Sequence, residues 1–575
     1  MRVDQKPDPT EFKRQALALL SQLYPLPVEP IFERLTTALQ AVRGFLPDSY
    51  ASHSQTKGVP EHEAILITYG DSISREGEPG LLTLKNFLEQ KLGNAIPVVH
   101  LLPCFPYSSD DGFSVIDYQQ INPSLGTWAD VAELNQSYDL MLDAVINHIS
   151  RHSAWFQGFL RGQAPEKDYF IEANPGLDYS MVFRPRALPL LTQVETANGS
   201  PYVWTTFSSD QIDLNYQNPE LMIRMMEIML GYARSGASLI RLDAIAYCWK
   251  KLGTSCLSLP ETHALVKLIR LCLDYYVPGT RIITETNVPH AENISYFGEG
   301  NEANLVYQFA LPPLVFFSFR SGSAEKLTRW LTQLEEPPAD CRYFNFLSSH
   351  DGIGVTPVAK ILDPDEKKLL ESWTLESGGK ISYKDLGNGT HVPYELNVNY
   401  LDAMAALEES DQVRIERFIS AETLLISLKG VPGIYIHSLL GSRNNYAEMH
   451  AAGIPRRINR GSIELNQLQK ELEPGGYRQP VFDELRRRLQ LRMAHAALGV
   501  DATQEVLSLD PRLVSFIRQS VDQKAPEKML VLVNVSNDFV EVGMPFAGWD
   551  LLAGERVESA TAVPPRSSRW IVLDE

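Results

Sequence analysis

Eight short apolar runs, each ending abruptly in polar or glycine-rich sequence, constrain the fold of this chain more than any other feature. They read "AILITYGDSI", "VVHLLPCFPYSSDDGF", "LMLDAVINHIS", "SLIRLDAIAY", "RIITETNV", "ANLVYQFALPP", "RYFNFLSSHDGIG" and "GVPGIYIHSLLGSRN", in that order. Most are separated by amphipathic, helix-like sequence such as "TWADVAELNQSYD" and "ETHALVKLIRLCLDYY". Strand-like runs alternating with helical spacers predict an α/β fold, a parallel (β/α)8 barrel. In such a barrel the active site lies at the C-terminal ends of the strands. The polar residues cluster at those ends: Asp71, Asp110, Asp111, His148, Asp243, Glu285, His350 and Asp351. A doubly wound sheet would also alternate, but it would not need eight polar strand ends converging on one face.

The remaining segments read as additions to the barrel, and 575 residues leave room for them. Residues 1–60 have helical periodicity in "FKRQALALLSQLY" and "IFERLTTALQAVRGFL", followed by a polar stretch, and predict an N-terminal helical extension. The catalytic barrel is expected over 61–500. Two intervals break its rhythm, 152–216 after the third run and 352–421 after the seventh. Both read as insertions over the barrel mouth, where loops carry specificity. Residues 501–575 hold alternating segments such as "VLSLDPRLVSFIRQ" and "MLVLVNVSN" and predict a C-terminal β-sandwich.

The bulk numbers exclude several function classes. Net charge is −19, from 52 basic against 71 acidic residues. Nucleic-acid and anionic-membrane binding both need a basic footprint, so neither partner is expected. The five cysteines (Cys104, Cys248, Cys256, Cys272, Cys341) are odd in number and lack metal-ligand spacing. They are expected to be reduced, buried thiols. No run approaches the ~18 apolar residues of a membrane span, and the charged N-terminus does not read as a signal peptide. A cytoplasmic protein, monomeric or homodimeric, is the expectation.

The stretch "SLIRLDAIAYCWK" carries the chemical question. Arg241 and Asp243 lie two residues apart, on one side of a strand that is otherwise apolar. Buried charge is costly unless it is paired or used. Glu285 and Asp351 end two other runs. A pair of carboxylates flanking a glycosidic bond is the usual equipment for glycosyl transfer: one attacks the anomeric carbon, the other protonates the departing oxygen. Retention of configuration needs them only ~5–5.5 Å apart. A third carboxylate can stabilise the oxocarbenium-like charge.

"DAVINH", "RLDAIAY", "ITETN" and "FLSSHDG" resemble the four signature regions of the α-amylase superfamily, glycoside hydrolase family 13, in order and at strand ends three, four, five and seven. The resemblance implies Asp243 as nucleophile, Glu285 as acid/base and Asp351 as transition-state stabiliser. It also implies that Arg241 orients the nucleophile and that His148 and His350 bind sugar hydroxyls. No metal is implied. A finer resemblance, carried by "PYSSDDGFSVIDYQQINPSLGTWADV", "FRPRALPLLT", "WTTFSSDQIDLNY" and "RRINR", is to the sucrose-phosphorylase branch. It implies that Asp110, Phe113, Gln211 and Arg460 border a glucose pocket and that Arg186 binds phosphate or acceptor.

Within that branch, "TETNVPHAENISYFG", "GTSCLSLPETH" and "VPYELNVNYLDAM" look more like the glucosylglycerate phosphorylases and their relatives. A small α-glucoside, 2-O-α-glucosylglycerate or 2-O-α-glucosylglycerol, is then the expected substrate, with inorganic phosphate as co-substrate and no cofactor. Arg186, Arg443 or Arg456 could meet a glycerate carboxylate. Sucrose or sucrose 6′-phosphate phosphorolysis, α-glucosidase or transglucosidase activity, and a non-catalytic amylase-like scaffold are the alternatives.

Overall fold

The computed structural model describes residues 8–44, 63–385, 391–543 and 547–574. All eight apolar runs are strands: β1 (Ile65–Thr68), β2 (Val98–Leu101), β3 (Asp139–Val145), β4 (Ala237–Asp243), β5 (Arg281–Thr284), β6 (Leu305–Tyr307), β7 (Arg342–Phe346) and β8 (Val431–Tyr435). Each pairs in parallel with its chain neighbours, and β8 returns to β1 with Gly433 opposite Ile65, closing the barrel. The closed ring explains why the runs are apolar throughout: one side faces the barrel interior and the other the surrounding helices. Gly433 is required by packing, because any side chain there would drive into the Phe344 ring.

The N-terminal extension is a helical pair, α1 (Pro9–Leu23) and α2 (Glu29–Arg43). Proline in the first turn opens both, and the Asp8 carboxylate caps α1 by accepting from the Glu11 amide at 3.3 Å. The apolar face of α1 packs on α4 (Pro260–Tyr276), where Phe12 stacks on Tyr275 at 4.0 Å. The apolar face of α2 packs on α3 (Pro219–Arg234). The extension therefore braces the two helices on either side of β4. The expected boundary at residue 60 lies outside the described residues.

The first inserted segment carries a three-stranded antiparallel sheet of Glu172–Ala173, Tyr202–Trp204 and Leu191–Gln193. The second carries a hairpin of Lys380–Asp385 and His391–Asn397. Its expected end at residue 421 falls inside α5 (Asp411–Ser427), which runs directly into β8 as a barrel helix. The inserted segment thus ends before Asp411. The C-terminal region forms a six-stranded antiparallel sheet and a two-stranded one. It is keyed to the barrel through Ser427 at the end of α5, whose hydroxyl accepts from Trp570 Nε1 at 2.7 Å. All five cysteines are free and buried, as expected from the sequence.

One buried acid lies away from the barrel mouth. Glu422, in α5, is 1 % exposed, and its Oε2 has no hydrogen-bond partner among the described residues. Burial pushes its carboxyl up to about 8, opposed only by the Ser438 hydroxyl. The folded chain therefore keeps a proton that the unfolded chain releases near pH 4–5, and stability from this group falls as pH rises through 8. Glu422→Gln should flatten that decline, by about 2–3 kcal/mol between pH 6 and 9. Unfolding curves of both proteins at the two pH values check this; parallel pH dependences would contradict it.

Candidate active site

β4 delivers Arg241 and Asp243 to the barrel interior, and the adjoining strands explain how the charge is tolerated. The register sets Arg241 beside Asp143 of β3. Arg241 Nη1 donates to Asp143 Oδ1 and, at 2.8 Å, to Asp243 Oδ1. Asp143 Oδ2 in turn lies 2.7 Å from His100 Nε2 of β2. Burial pushes the His100 imidazole down despite the carboxylate beside it, so it is a neutral donor. Burial pushes Asp143 up, but Arg241 and His100 outweigh it and hold the carboxyl below its ordinary range. A chain of hydrogen bonds, His100–Asp143–Arg241–Asp243, thus fixes Asp243 from below.

Glu285 follows β5 and enters the same cavity. The β4–β5 register pairs Leu242 with Thr284, so Asp243 and Glu285 leave neighbouring strands side by side. Immediately after Asp243, Ala244 turns left-handed (φ 49°) and its amide donates to Glu285 Oε2 at 3.0 Å. Such a conformation is uncommon for a side-chain-bearing residue and stores strain at the site. Burial pushes the proton affinity of the pair above the ordinary carboxylate range, against the pull of Arg241. Arg241 donates to Asp243, whereas Glu285 accepts from a neutral amide. The guanidinium beside Asp243 favours the charged form of that acid over that of Glu285.

Asp351, beyond β7, is the third acid. Burial pushes its carboxyl up, but the Arg456 and Arg460 guanidinium groups prevail and keep it ionised. Arg456 Nη1 lies 2.9 Å from Asp351 Oδ1, and its Nε donates at 2.9 Å to Glu395 Oε2. Arg460 donates from Nε to the His350 carbonyl at 2.6 Å and from Nη1 to Asp111 Oδ2 at 2.7 Å. Burial pushes His350 down to about 3, leaving its ring neutral; Phe113 stacks on it at 4.7 Å with 9° between the planes.

Asp110, Asp111 and Gly112 are three consecutive left-handed residues (φ 53°, 51° and 109°). A Cβ on Gly112 would stand 2.8 Å from the Pro103 carbonyl oxygen, so the curl needs glycine there. The curl aims two adjacent carboxylates at different arginines. Asp110 Oδ2 accepts from Arg186 Nη2 at 2.8 Å and Gln211 Nε2 at 3.2 Å, while Asp111 accepts from Arg457 and Arg460. The Asp210 carboxylate secures the preceding turn through Ser108, Ser109 and Ser114. His148 Nε2 donates to the Phe113 carbonyl at 2.8 Å, and burial lowers its pKa.

Comparison with known proteins identifies the architecture. Residues 89–372 match the model of the α-amylase catalytic domain. The chain is 47% identical to the glucosylglycerate phosphorylase of Allomeiothermus silvanus, over 81% of this chain and 84% of that protein. It is 46% identical to the glucosylglycerate phosphorylase of Spirochaeta thermophila, over 90% of this chain and 88% of that one. The chain belongs to the α-amylase family. The crystal structure of sucrose 6F-phosphate phosphorylase from Thermoanaerobacter thermosaccharolyticum has the same fold, with a TM-score of 0.74 at 23% identity, covering 88% of this chain and 99% of that one.

The α-amylase-family segment contains Asp110, Asp111, Asp143, Asp210, Asp243, Glu285 and Asp351, whereas Glu395, Arg443, Arg456, Arg457 and Arg460 lie beyond it. Most of the residues singled out from the sequence meet at one cavity: Asp110, Phe113, His148, Arg186, Gln211, Asp243, Glu285, His350, Asp351 and Arg456 line it. Arg241 and Arg460 stand directly behind that lining, on Asp243 and Asp351. Arg443 does not join them. It lies outside the lining, with Nε on Asp402 Oδ1 at 2.5 Å and Nη1 on Asp411 Oδ1 at 3.1 Å, fastening α5 to the loop after β8.

Asp143, Phe207, Tyr247, Tyr394 and Glu395 went unremarked in the sequence reading. The lone acid inside "LMLDAV" was the available signal for Asp143, and "VPYELNVNY" contained Tyr394 and Glu395. Among the described residues, no helix is long and apolar enough to cross a membrane, and no group of three His, Cys, Asp or Glu is placed to hold a metal.

Proposed function

We propose that this protein is a retaining glycoside phosphorylase that converts 2-O-α-glucosylglycerate and inorganic phosphate to α-D-glucose 1-phosphate and glycerate. The observation that carries this reading is the acid pair at adjoining strand ends: Asp243 accepts from Arg241, and Glu285 beside it accepts from the Ala244 amide. The names of the two phosphorylase relatives supply the substrate class.

Asp243 attacks the anomeric carbon, the bond to the glycerate oxygen breaks, and Glu285 passes its proton to that oxygen. A phosphate oxygen then attacks the glucosyl ester from the other face, returning Asp243 as carboxylate and any departing proton to Glu285. Two inversions give the α-phosphate. Asp351, held ionised by Arg456 and Arg460, faces the positive charge that develops on the sugar. Phosphate must outcompete water at the glucosyl-enzyme, which calls for a closed pocket and local cations. Arg186 and Arg456 supply such cations in a chain whose overall charge is −19.

The test is product partition. Incubated with 2-O-α-glucosylglycerate and phosphate, the protein should release glucose 1-phosphate as the main product, in proportion to phosphate consumed. Release of mostly free glucose, at a rate indifferent to phosphate, would show a hydrolase instead.

A further inference from the structure

The arginines around the barrel mouth already answer to carboxylates of this chain. Arg186 pairs with Asp110, Arg456 with Asp351 and Glu395, Arg457 with Asp111 and Glu448, and Arg460 with Asp111. Lys384 differs. It lies on the Lys380–Asp385 strand of the second insertion, opposite Val392, and forms no ion pair with any carboxylate among the described residues. Its ammonium stands between aromatic faces from both insertions, 4.8 Å from the ring centre of Phe183 and 5.9 Å from that of Tyr394. Tyr394 lines the cavity, and Phe183 lies 6.3 Å from Tyr247, which lines it too.

Aromatic faces attract an ammonium but carry no net charge, so the lysine's charge is held yet uncompensated. Burial lowers its proton affinity, and no acid among the described residues opposes this. A half-buried cation without a counter-ion is unfavourable unless a ligand supplies the anion. The chain is strongly acidic, so carboxylates were abundant as partners; that none of the described residues supplies one here leaves room for an incoming one.

We propose that Lys384 receives the carboxylate of the acceptor and thereby selects a glyceric acid over a neutral polyol such as glycerol. The proposal rests on the phosphorylase reading above. Because Phe183 and Tyr394 belong to different insertions, the same contact ties recognition of the acceptor to the relative position of the two loops that cover the mouth. In the double displacement proposed above phosphate and acceptor approach the glucosyl-enzyme in turn, so an anion-binding lysine can serve either; the experiment separates them.

Glucose 1-phosphate is offered with glycerate or with glycerol and the released phosphate is measured for wild type, Lys384→Gln and Lys384→Arg. The ratio of kcat/KM for glycerate to that for glycerol should fall about ten-fold or more in Lys384→Gln, the scale of a lost charge-assisted hydrogen bond. Lys384→Arg should restore most of it. A general loss of folding or catalysis would lower both kcat/KM values together and cannot by itself produce a fall in their ratio. A wild type that prefers glycerate alongside a Lys384→Gln variant with an unchanged ratio overturns the role of Lys384 while leaving the phosphorylase reading standing. An unchanged ratio with a raised KM for phosphate overturns it in favour of phosphate binding. A wild type that releases no phosphate with glycerate overturns the acceptor assignment itself, and the proposal with it.

Discussion

Asp243→Asn is expected to reduce kcat for phosphorolysis of glucosylglycerate by roughly 10⁴-fold or more, the scale on which loss of a covalent nucleophile is felt. The amide is nearly the same size and its Oδ1 can still accept from Arg241, so the change removes nucleophilicity with little change of shape. Its effect on stability should run the other way. Burial disfavours a charge on Asp243, and Arg241 remains paired with Asp143 when that charge is gone. The variant should therefore melt at the wild-type temperature or above it, as expected where function has been placed at the expense of stability. Initial rates of glucose 1-phosphate release together with a thermal melt check both halves. A variant that keeps more than about one per cent of kcat would show that another group attacks the sugar.

The barrel was legible because each strand is a continuous apolar run stopped by polar residues, a signal carried within a few positions. Asp243, Glu285 and Asp351 were legible for the same reason, since each marks such a stop. What stayed hidden depends on contacts between distant segments. Asp143 gains its meaning only from the β3–β4 register that sets it beside Arg241. Arg443 read as an acceptor residue because nothing local reveals that Asp402 and Asp411, more than thirty positions away, hold it. The end of the second insertion was misplaced because α5 buries Arg414, Arg417 and Glu422, which blurs the apolar stripe that would have marked it as a barrel helix. Lys384 is similar: its neighbours Phe183 and Tyr394 belong to different insertions and lie more than two hundred positions apart in the sequence.

Glu285→Gln should separate the two halves of the reaction. Glutamine cannot give a proton to the glycerate oxygen, a poor leaving group, so phosphorolysis of glucosylglycerate should fall about 10²–10⁴-fold. α-Glucosyl fluoride needs little such help, and phosphate arrives already ionised and needs no strong base. With that pair of substrates the variant should stay within about ten-fold of wild type. The pH profile supplies a second readout. Burial raises the Glu285 carboxyl and its acid form is the one used, so wild-type kcat/KM on glucosylglycerate should decline as pH rises through that raised value. The decline should vanish from the profile of the glutamine variant on the fluoride. Equal losses on both substrates would mean that Glu285 positions the sugar rather than protonates the leaving group. Retention of the alkaline limb in the variant would assign that ionisation to another residue at the cavity.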